Sequence, residues 1–406
     1  MTETERPVDL DLGGRAVVRL VDARAADVAR VRRQLGPVPA VADGDDRRGT
    51  TPTAPAGRAP DVTIRFVDRL VLEGPIRRLG AGAIAVGSSF VATIGGRKTP
   101  VRVAIPMATL GLGPAEIVVE RTRGSIPLLL PILAVSLLAR GVAPVHASAF
   151  LDNGRGVLVS GWAKGGKSET LLAFLRAGAT YVGDEWLFLD PDGPQMFGTP
   201  EPIRLWDWQL AMVPELTGGI GRGRRGRLAV AAGVARALHG TSDLPVVGRT
   251  SLGEASRRVG SIVERQRSIQ IPVHELVGSE RVSRTAVPID RVVLVTAGDT
   301  DRVTLDLPPS ETAARIAATT AHELLDLSAA RLAFRHAVPS EKVDGIEDLE
   351  GRLRAALEPI LADVPIIELE HRHPPDIPGL RPLLAPALEA PPRSPGGPAV
   401  PHEGDR

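Results

Sequence analysis

Short apolar segments, separated by glycine, proline and polar residues, make up most of the chain up to residue 120. Such segments, rich in valine and isoleucine, predict β-strands, whereas a longer segment at residues 26–35 predicts a helix. Residues 41–60 are polar and rich in glycine and proline, which predicts a disordered loop. We therefore expect residues 1–120 to form a small, mainly β N-terminal domain, with strands at residues 16–21, 62–67, 84–86, 90–94, 101–105 and 117–120.

Helical and strand-like patterns are mixed after residue 120, so the expected fold class is α/β (α+β), with the main domain at residues 121–372. The most apolar run, residues 126–139, is too short to span a bilayer and predicts a buried core helix. Proline and glycine dominate residues 373–406, which predicts a disordered tail. Helices are expected at residues 128–140, 169–178, 310–325 and 345–362, and strands at residues 145–151, 156–160, 180–189, 259–277, 291–295 and 364–369.

Composition narrows the possible classes of protein. Of the 406 residues, 43% are hydrophobic and only 3% aromatic, so a large aliphatic core is expected. The formal net charge of +1 gives no reason to expect binding to nucleic acid or to an anionic membrane. The absence of cysteine excludes disulfides, thiolate catalysis and cysteine-ligated zinc. The polar N-terminal residues lack the apolar region of a signal peptide, so a cytoplasmic protein without a membrane span is expected.

One glycine-rich motif carries the most specific chemical information in the chain. The pattern G-x-x-x-x-G-K-[ST] is matched at every fixed position by Gly161-Trp162-Ala163-Lys164-Gly165-Gly166-Lys167-Ser168. A predicted strand precedes the motif and a predicted helix follows it, so backbone N–H groups and the helix N-terminus can surround phosphate oxygens. We expect Lys167 to bind the outer phosphates and Ser168 to ligate Mg²⁺. The motif predicts a site for a nucleoside triphosphate or a related polyphosphate; the alternative is a glycine-rich turn that binds nothing.

Two acids interrupt the apolar strand predicted at residues 180–189. Asp184 and Glu185 would be costly to bury there unless they were paired, hydrated or bound to a metal. Asp184 follows Lys167 by 17 residues, the length of one helix and a return, so its strand can lie beside the strand that precedes the motif. This is the position expected for an acid that holds Mg²⁺ or takes a proton from a hydroxyl. A strand-end acid that caps a turn is the alternative.

His146 lies on the predicted strand at residues 145–151. The turn Asn153-Gly154 is typical of a β-hairpin, so this strand is expected to pair with the one that precedes the glycine motif. A single histidine is more often structural or exposed to solvent than functional. Its position next to the motif nevertheless makes His146 a candidate for the site.

Taken together, residues 145–190 resemble the catalytic domain of HPr kinase/phosphorylase and the related HPr-kinase-like serine kinases. The matching features are His146 before a hairpin, the glycine motif followed directly by Glu169, and the acidic pair at residues 184 and 185. A weaker similarity extends over residues 125–370. The resemblance implies a P-loop domain related to phosphoenolpyruvate carboxykinase, built on a twisted sheet with flanking helices. It also implies phosphoryl transfer from ATP, or another phosphate donor, to the hydroxyl of a serine or other acceptor.

The resemblance also assigns functions to individual residues. Residues 161–169 would hold the nucleotide, with Lys167 on its phosphates and Ser168 on Mg²⁺. Asp184 would be the general base, which also binds the metal, Glu185 a further acid of the metal site, and His146 a residue that orients or tunes the acid. ATP and Mg²⁺ are thus the implied cofactors. The acceptor would be a protein, a peptide or a small hydroxylated molecule, and because hexamers occur in the family, a homo-oligomer is also possible.

The sequence departs from the family pattern at two places. Glu185 stands where the family has a second aspartate. The family's downstream Arg-Gly-(Leu/Ile)-Gly segment, which carries a further catalytic glutamate, is not found, and its approximate place is taken by Glu201-Pro202-Ile203-Arg204. Two other functions therefore stay open: a nucleotide-binding regulatory module without transfer, and a P-loop ATPase or small-molecule kinase of another group.

Overall fold

The computed structural model describes residues 6–36, 38, 58–80, 82–94, 101–122, 124–221, 223, 226 and 268–391. Over these residues the protein is a mixed α/β structure with an eight-stranded, a nine-stranded and a two-stranded sheet. The predictions made for residues 41–57, 259–267 and 392–406 lie outside the described residues.

The first sheet is formed by the N-terminal strands, which lie in the order β1-β2-β3-β8-β7-β6-β5-β4. Strands β2, β3 and β8 run parallel to one another, and all other neighbours in this sheet are antiparallel. Strands β2 and β3 begin and end at the predicted residues. The eight strands are β1 (Val8–Leu12), β2 (Ala16–Val21), β3 (Val62–Val67), β4 (Ile76–Arg78), β5 (Ala83–Val86), β6 (Ser89–Ile94), β7 (Val101–Pro106) and β8 (Ala115–Glu120).

The remaining strands follow after residue 140. They are β9 (Ala143–Asp152), β10 (Arg155–Gly161), β11 (Thr180–Gly183), β12 (Trp186–Leu189), β13 (Gln195–Gly198), β14 (Ile203–Trp206), β15 (Ser268–Ile271), β16 (Val287–Pro288), β17 (Arg291–Gly298), β18 (Arg302–Leu305) and β19 (Ile366–Arg372). Strands β14 and β15 pair with each other, and the others form the nine-stranded sheet in the order β16-β13-β12-β9-β10-β17-β19-β18, with β11 also on β9.

Nine α-helices lie within the described part of the chain: α1 (Ala25–Leu35), α2 (Leu129–Leu138), α3 (Lys167–Arg176), α4 (Asp207–Met212), α5 (Val273–Val277), α6 (Pro309–Glu323), α7 (Leu325–Ala337), α8 (Leu349–Leu361) and α9 (Ile377–Glu389). Single 3₁₀ turns occupy Pro214–Thr217, Ser279–Arg281 and Asp344–Ile346. Among the described helices, none is both long and apolar enough to cross a membrane.

Strands β9 and β10 form the centre of the nine-stranded sheet. They are antiparallel neighbours, joined by Asn153 at φ 51° and Gly154 at φ 79°. Two consecutive left-handed residues form the hairpin turn that matches the twist of the strands, so the predicted hairpin is confirmed. Alternate side chains of β10 point to opposite faces of the sheet, where Leu158 joins one buried cluster while Val157 and Val159 join another.

A single hydrophobic cluster extends through both large sheets. Helix α2, which is buried along most of its length as predicted, contacts β3 and β8 of the first sheet and β9 of the second. Arg140, just after α2, forms an ion pair with the buried Asp61 at the start of β3. The N-terminal sheet is therefore packed and ion-paired against the rest of the chain.

Two element predictions are wrong. Part of the tail expected to be disordered forms helix α9, because Ile377, Leu380, Leu384 and Leu388 lie on one face and pack against the cluster that contains α3. Within the described part of the segment expected to be strand at residues 259–277, only Ser268–Ile271 forms a strand, and Val273–Val277 forms helix α5.

Candidate functional site

The glycine-rich loop (residues 161–168) connects the end of β10 to the first turn of α3. Gly166 adopts φ 106° and Lys164 φ 61°, left-handed conformations that curl the backbone before the helix begins. The first amide to bond within the helix is that of Thr170, which donates to Gly166 O. The amides of Lys167, Ser168 and Glu169 therefore have no partner one turn back in the helix and form its positively polarised end.

The Lys167 side chain is folded back over this loop. Its ammonium donates to Gly161 O at 2.9 Å and Trp162 O at 3.0 Å. Burial lowers the pKa of Lys167, while nearby carboxylates act in the opposite direction, those of Glu185 and Asp184 most strongly. A buried ammonium next to a helix N-terminus can bind an anion, and the nearby carboxylates offset part of its charge.

The acidic pair lies at a break between two strands. Strand β11 ends at Gly183 and β12 begins at Trp186, and both strands pair with the same edge of β9. The expectation that Asp184 lies on a strand next to β10 is therefore wrong, because β9 separates the two. The long β9 accommodates two short strands along one edge, and the residues between them form a bend in which Glu185 has φ 73°.

The bend nevertheless brings the Asp184 carboxylate to the glycine-rich loop. Ser168 Oγ lies 3.2 Å from each Asp184 carboxylate oxygen, and Ser148 Oγ, on β9, donates to Oδ1 at 2.5 Å. Asp184 is only 3% exposed. Burial and the charge of Glu185 raise the pKa of Asp184 to about 6, against the opposing effect of the two serine hydroxyls. The site thus holds a buried carboxylate that can exchange a proton near neutral pH.

His146 contacts Glu185 rather than Asp184. Its Nε2 is 3.0 Å from Glu185 Oε2, and its Nδ1 is 3.3 Å from Glu323 Oε1 at the end of α6. The second contact satisfies the distance for an ion pair but not the geometry of a hydrogen bond, since Nδ1 has no hydrogen-bond partner. The hydrogen bond from His146 lowers the pKa of Glu185. Glu185 is thus held as a charged, half-exposed carboxylate at the edge of the site.

The remaining predicted residues surround the loop. Glu169, in the first turn of α3, accepts a hydrogen bond from Gln209 Nε2 at 2.7 Å. The indole of Trp162 is exposed and lies against the His322 ring of α6. Residues 161–169, Asp184 and Glu185 therefore lie close together, with His146 linked to them through Glu185.

Two residues near the site were not selected from the sequence. Glu201 lies between β13 and β14, and it accepts a hydrogen bond from Thr199 Oγ1 at 3.0 Å. Burial, together with the charges of Glu185 and Asp184, raises the pKa of Glu201 to about 8. The sequence around Glu201 carries no chemical signal, because the three acids meet only in the folded chain.

His371 is the other residue that sequence reasoning missed. It is the last residue but one of β19, is 1% exposed, and places Nε2 2.9 Å from Gly165 O. A Cβ on Gly166 would overlap the His371 ring, so the close approach requires glycine at this position. His371 and Gly165 are 206 positions apart in the chain, and no local pattern connects them.

Mg²⁺ is the metal that the resemblance implies. Among the described residues, no group of three or more histidine, cysteine, aspartate or glutamate side chains is arranged to hold a metal ion. Mg²⁺ commonly takes one or two carboxylates and completes its shell with water and substrate phosphate. The Ser168 hydroxyl and the Asp184 carboxylate fit a Mg²⁺ ion that arrives with a phosphate, whereas Glu185 is engaged by His146.

A comparison with models of known protein families found no match to this chain, and a comparison with curated proteins found none either. What the site does therefore has to be inferred from its own residues.

Proposed function

We propose that this protein is an HPr-kinase-like P-loop kinase that transfers the terminal phosphoryl group of ATP to a hydroxyl, such as that of a serine. The observation that carries the proposal is the position of Asp184. Its buried carboxylate lies 3.2 Å from Ser168 Oγ at the N-terminus of α3, and its pKa is raised to about 6. A base next to an anion-binding helix end is the pairing that phosphoryl transfer to a hydroxyl requires.

The glycine-rich loop supplies the anion site. The free amides at the start of α3 can donate to phosphate oxygens, and Lys167 can turn from the Gly161 and Trp162 carbonyls to the outer phosphates. Mg²⁺, held by Ser168 and Asp184, would neutralise charge on the phosphates.

Asp184 is the base in this proposal. Its carboxylate accepts the proton of the acceptor hydroxyl, and the acceptor oxygen forms a bond to the terminal phosphorus as the bond from that phosphorus to the bridging oxygen breaks. ADP leaves with the electron pair of the broken bond, and the proton passes from Asp184 to solvent. The Ser148 hydroxyl, 2.5 Å from Oδ1, holds the carboxylate in place.

His146 and Glu185 influence the pKa of this base. His146 favours the charged form of Glu185, whose negative charge raises the pKa of Asp184, while His146 itself acts on Asp184 in the opposite direction. A raised pKa makes Asp184 a stronger base at neutral pH. His146 thus acts as a positioning residue through Glu185.

The test is transfer of label from γ-labelled ATP to a mixture of serine-containing peptides and proteins. Asp184→Asn should lower the rate of transfer at least about 100-fold. Its affinity for ATP, measured by calorimetry, should stay within a few fold of that of the unchanged protein. Asp192→Asn, at an exposed aspartate, is the matched control and should retain full transfer.

Two results would favour the other functions. ATP binding without transfer or hydrolysis, in the unchanged protein, would indicate a regulatory module. Phosphate release that needs no acceptor and is unaffected by His146→Ala would indicate an ATPase of another group.

A further inference from the structure

A cavity of about 440 Å³ lies beside the first half of the glycine-rich loop. Its walls are residues 161–165 of the loop, residues 294–297 at the end of β17, and one face of α6. The volume is within the range of about 300–1,000 Å³ typical of small-molecule pockets. Neither Ser168 nor Asp184 is among the lining residues. The cavity therefore extends the loop site in a direction away from the acids.

Trp162 is one of the residues that line this cavity, and it carries an exposed aromatic ring. The indole is 55% exposed, and its ring centroid lies 4.8 Å from that of His322, with 37° between the ring planes. Thr319, one turn before His322 on α6, donates to Gly161 O at 3.1 Å. Helix α6 thus fixes both the loop backbone and the indole. An exposed indole held in this way is the kind of surface on which a nucleobase stacks.

The charges of the cavity lining do not form a second phosphate site. Arg315 donates to Glu368 Oε1 at 2.8 Å and to Thr296 Oγ1 at 3.2 Å, and Glu311 lies 3.7 Å from its other terminal nitrogen. Its positive charge is therefore already compensated. Lys164, on the loop itself, is the other cation of the lining. Lys164 is thus the one lining cation for which no ion pair is seen among the described residues, which is too little for a second polyphosphate site. The lining suits an uncharged group with hydrogen-bonding capacity, attached to phosphates that lie on the loop.

We infer that this cavity receives the nucleoside part of the phosphate donor, with its base stacked on Trp162. The donor is then a nucleoside triphosphate and not an inorganic polyphosphate. The inference rests on the proposed function, because it requires the phosphates to lie at the N-terminus of α3.

The experiment compares ATP with inorganic tripolyphosphate, both in Mg²⁺, by calorimetry on the full chain. The unchanged protein should bind ATP at least about tenfold more tightly, because base stacking on an aromatic ring contributes that much. Trp162→Ala should bring the two affinities together by weakening ATP alone, and Trp162→Phe should restore most of the difference. Leu332→Ala, at another exposed apolar residue, is the control and should change neither affinity.

Three results would overturn the inference. Equal affinities in the unchanged protein would mean that the nucleoside contributes nothing. A parallel loss of ATP and tripolyphosphate binding in Trp162→Ala would mean that the indole shapes the loop instead. If the unchanged protein binds neither ligand, the proposed function itself fails, and this result is distinguishable from the first two.

Discussion

His371 Nε2 lies 2.9 Å from Gly165 O, so a histidine near the end of β19 contacts the backbone of the glycine-rich loop. Because a peptide unit is planar and trans, its C=O and N–H point in opposite directions. The N–H of Gly166 therefore points away from His371. Nδ1 lies 2.9 Å from Arg372 O, so a carbonyl oxygen faces each ring nitrogen. His371 thus sets the orientation of one of the amides that the proposed phosphate would meet.

Replacing His371 should weaken nucleotide binding, although the acidic residues of the site stay the same. We expect His371→Ala to lower the affinity for ATP about tenfold, because a buried carbonyl loses its donor and the peptide can rotate. His371→Gln, which retains a donor, should recover part of the loss. Calorimetry measures both affinities. His336→Gln, at an exposed histidine of α7, is the control, and an unchanged affinity in His371→Ala would contradict this function of His371.

The pH dependence of transfer should follow the protonation of Asp184. The pKa of Asp184 is about 6 without metal, and Mg²⁺ on this carboxylate would lower it. Transfer should therefore be constant above about pH 6 and fall about tenfold per pH unit below the pKa of the metal-bound carboxylate. Ser148→Ala removes a hydrogen bond that stabilises the charged form. It should therefore raise the pKa of Asp184. The acidic limb of the rate profile, where transfer falls with falling pH, should then shift to higher pH by about one unit.

A matched variant separates this effect from a general change in the sheet. Ser160, on the neighbouring strand β10, is as buried as Ser148, but its hydroxyl donates to His146 O and not to Asp184. Ser160→Ala should leave the acidic limb where it is. If both variants shift the limb equally, Ser148 does not act through Asp184.

The local elements could be predicted from the sequence because their signals are local. The hairpin turn at residues 153–154, the strand before the glycine motif and the helix after it all depend on neighbouring residues, and all three are present in the structure. Helix α9 was missed because prolines dominate the composition there, although Pro382 and Pro386 lie on its exposed face and its apolar residues form a regular stripe.

The long-range relationships could not be predicted in the same way. The spacing between Lys167 and Asp184 accommodates a helix and a return, but it does not say which edge of which strand is reached. The strand order places β9 between β10 and the acids, and brings His371 to the loop from a distant part of the chain. Such pairings depend on the packing of whole strands, for which a single sequence contains no local pattern.

The ion pair between Arg140 and Asp61 should be important for stability. Asp61 is 2% exposed, and its other oxygen accepts a hydrogen bond from Val17 N at 2.8 Å. Arg140→Ala would remove the ion-pair partner of this buried carboxylate and leave only the more distant charge of Arg58, which should cost up to about 3 kcal/mol. Urea unfolding, followed by tryptophan fluorescence, should show a lower midpoint.

An exposed pair of the same kind provides the comparison. Arg354 lies 2.8 Å from Glu358 on the surface of α8, and Arg354→Ala should cost less than about 1 kcal/mol. Similar midpoints for the two variants would show that the Arg140 pair does not couple the N-terminal sheet to the rest of the chain.

Glu201 should make the folded protein less stable as pH rises. Its pKa is about 8 in the folded chain, above the ordinary value of 4.5, so the folded state binds a proton that the unfolded state has already released. The stability gained from neutral Glu201 is complete below about pH 4.5 and is lost progressively up to about pH 8. Glu201→Gln keeps the side chain uncharged and removes this loss.

Thermal unfolding at pH 5 and pH 8 measures the effect of Glu201. At pH 8 we expect the Tm of Glu201→Gln to exceed that of the unchanged protein by about 2–4 °C, with a smaller difference at pH 5. Thr199→Val is a useful second variant, because Thr199 donates to Glu201 and favours its charged form. Its removal should make the destabilisation at high pH greater. A Tm difference that does not depend on pH would mean that Glu201 is charged throughout, and that the three acids of the site repel one another less than their burial implies.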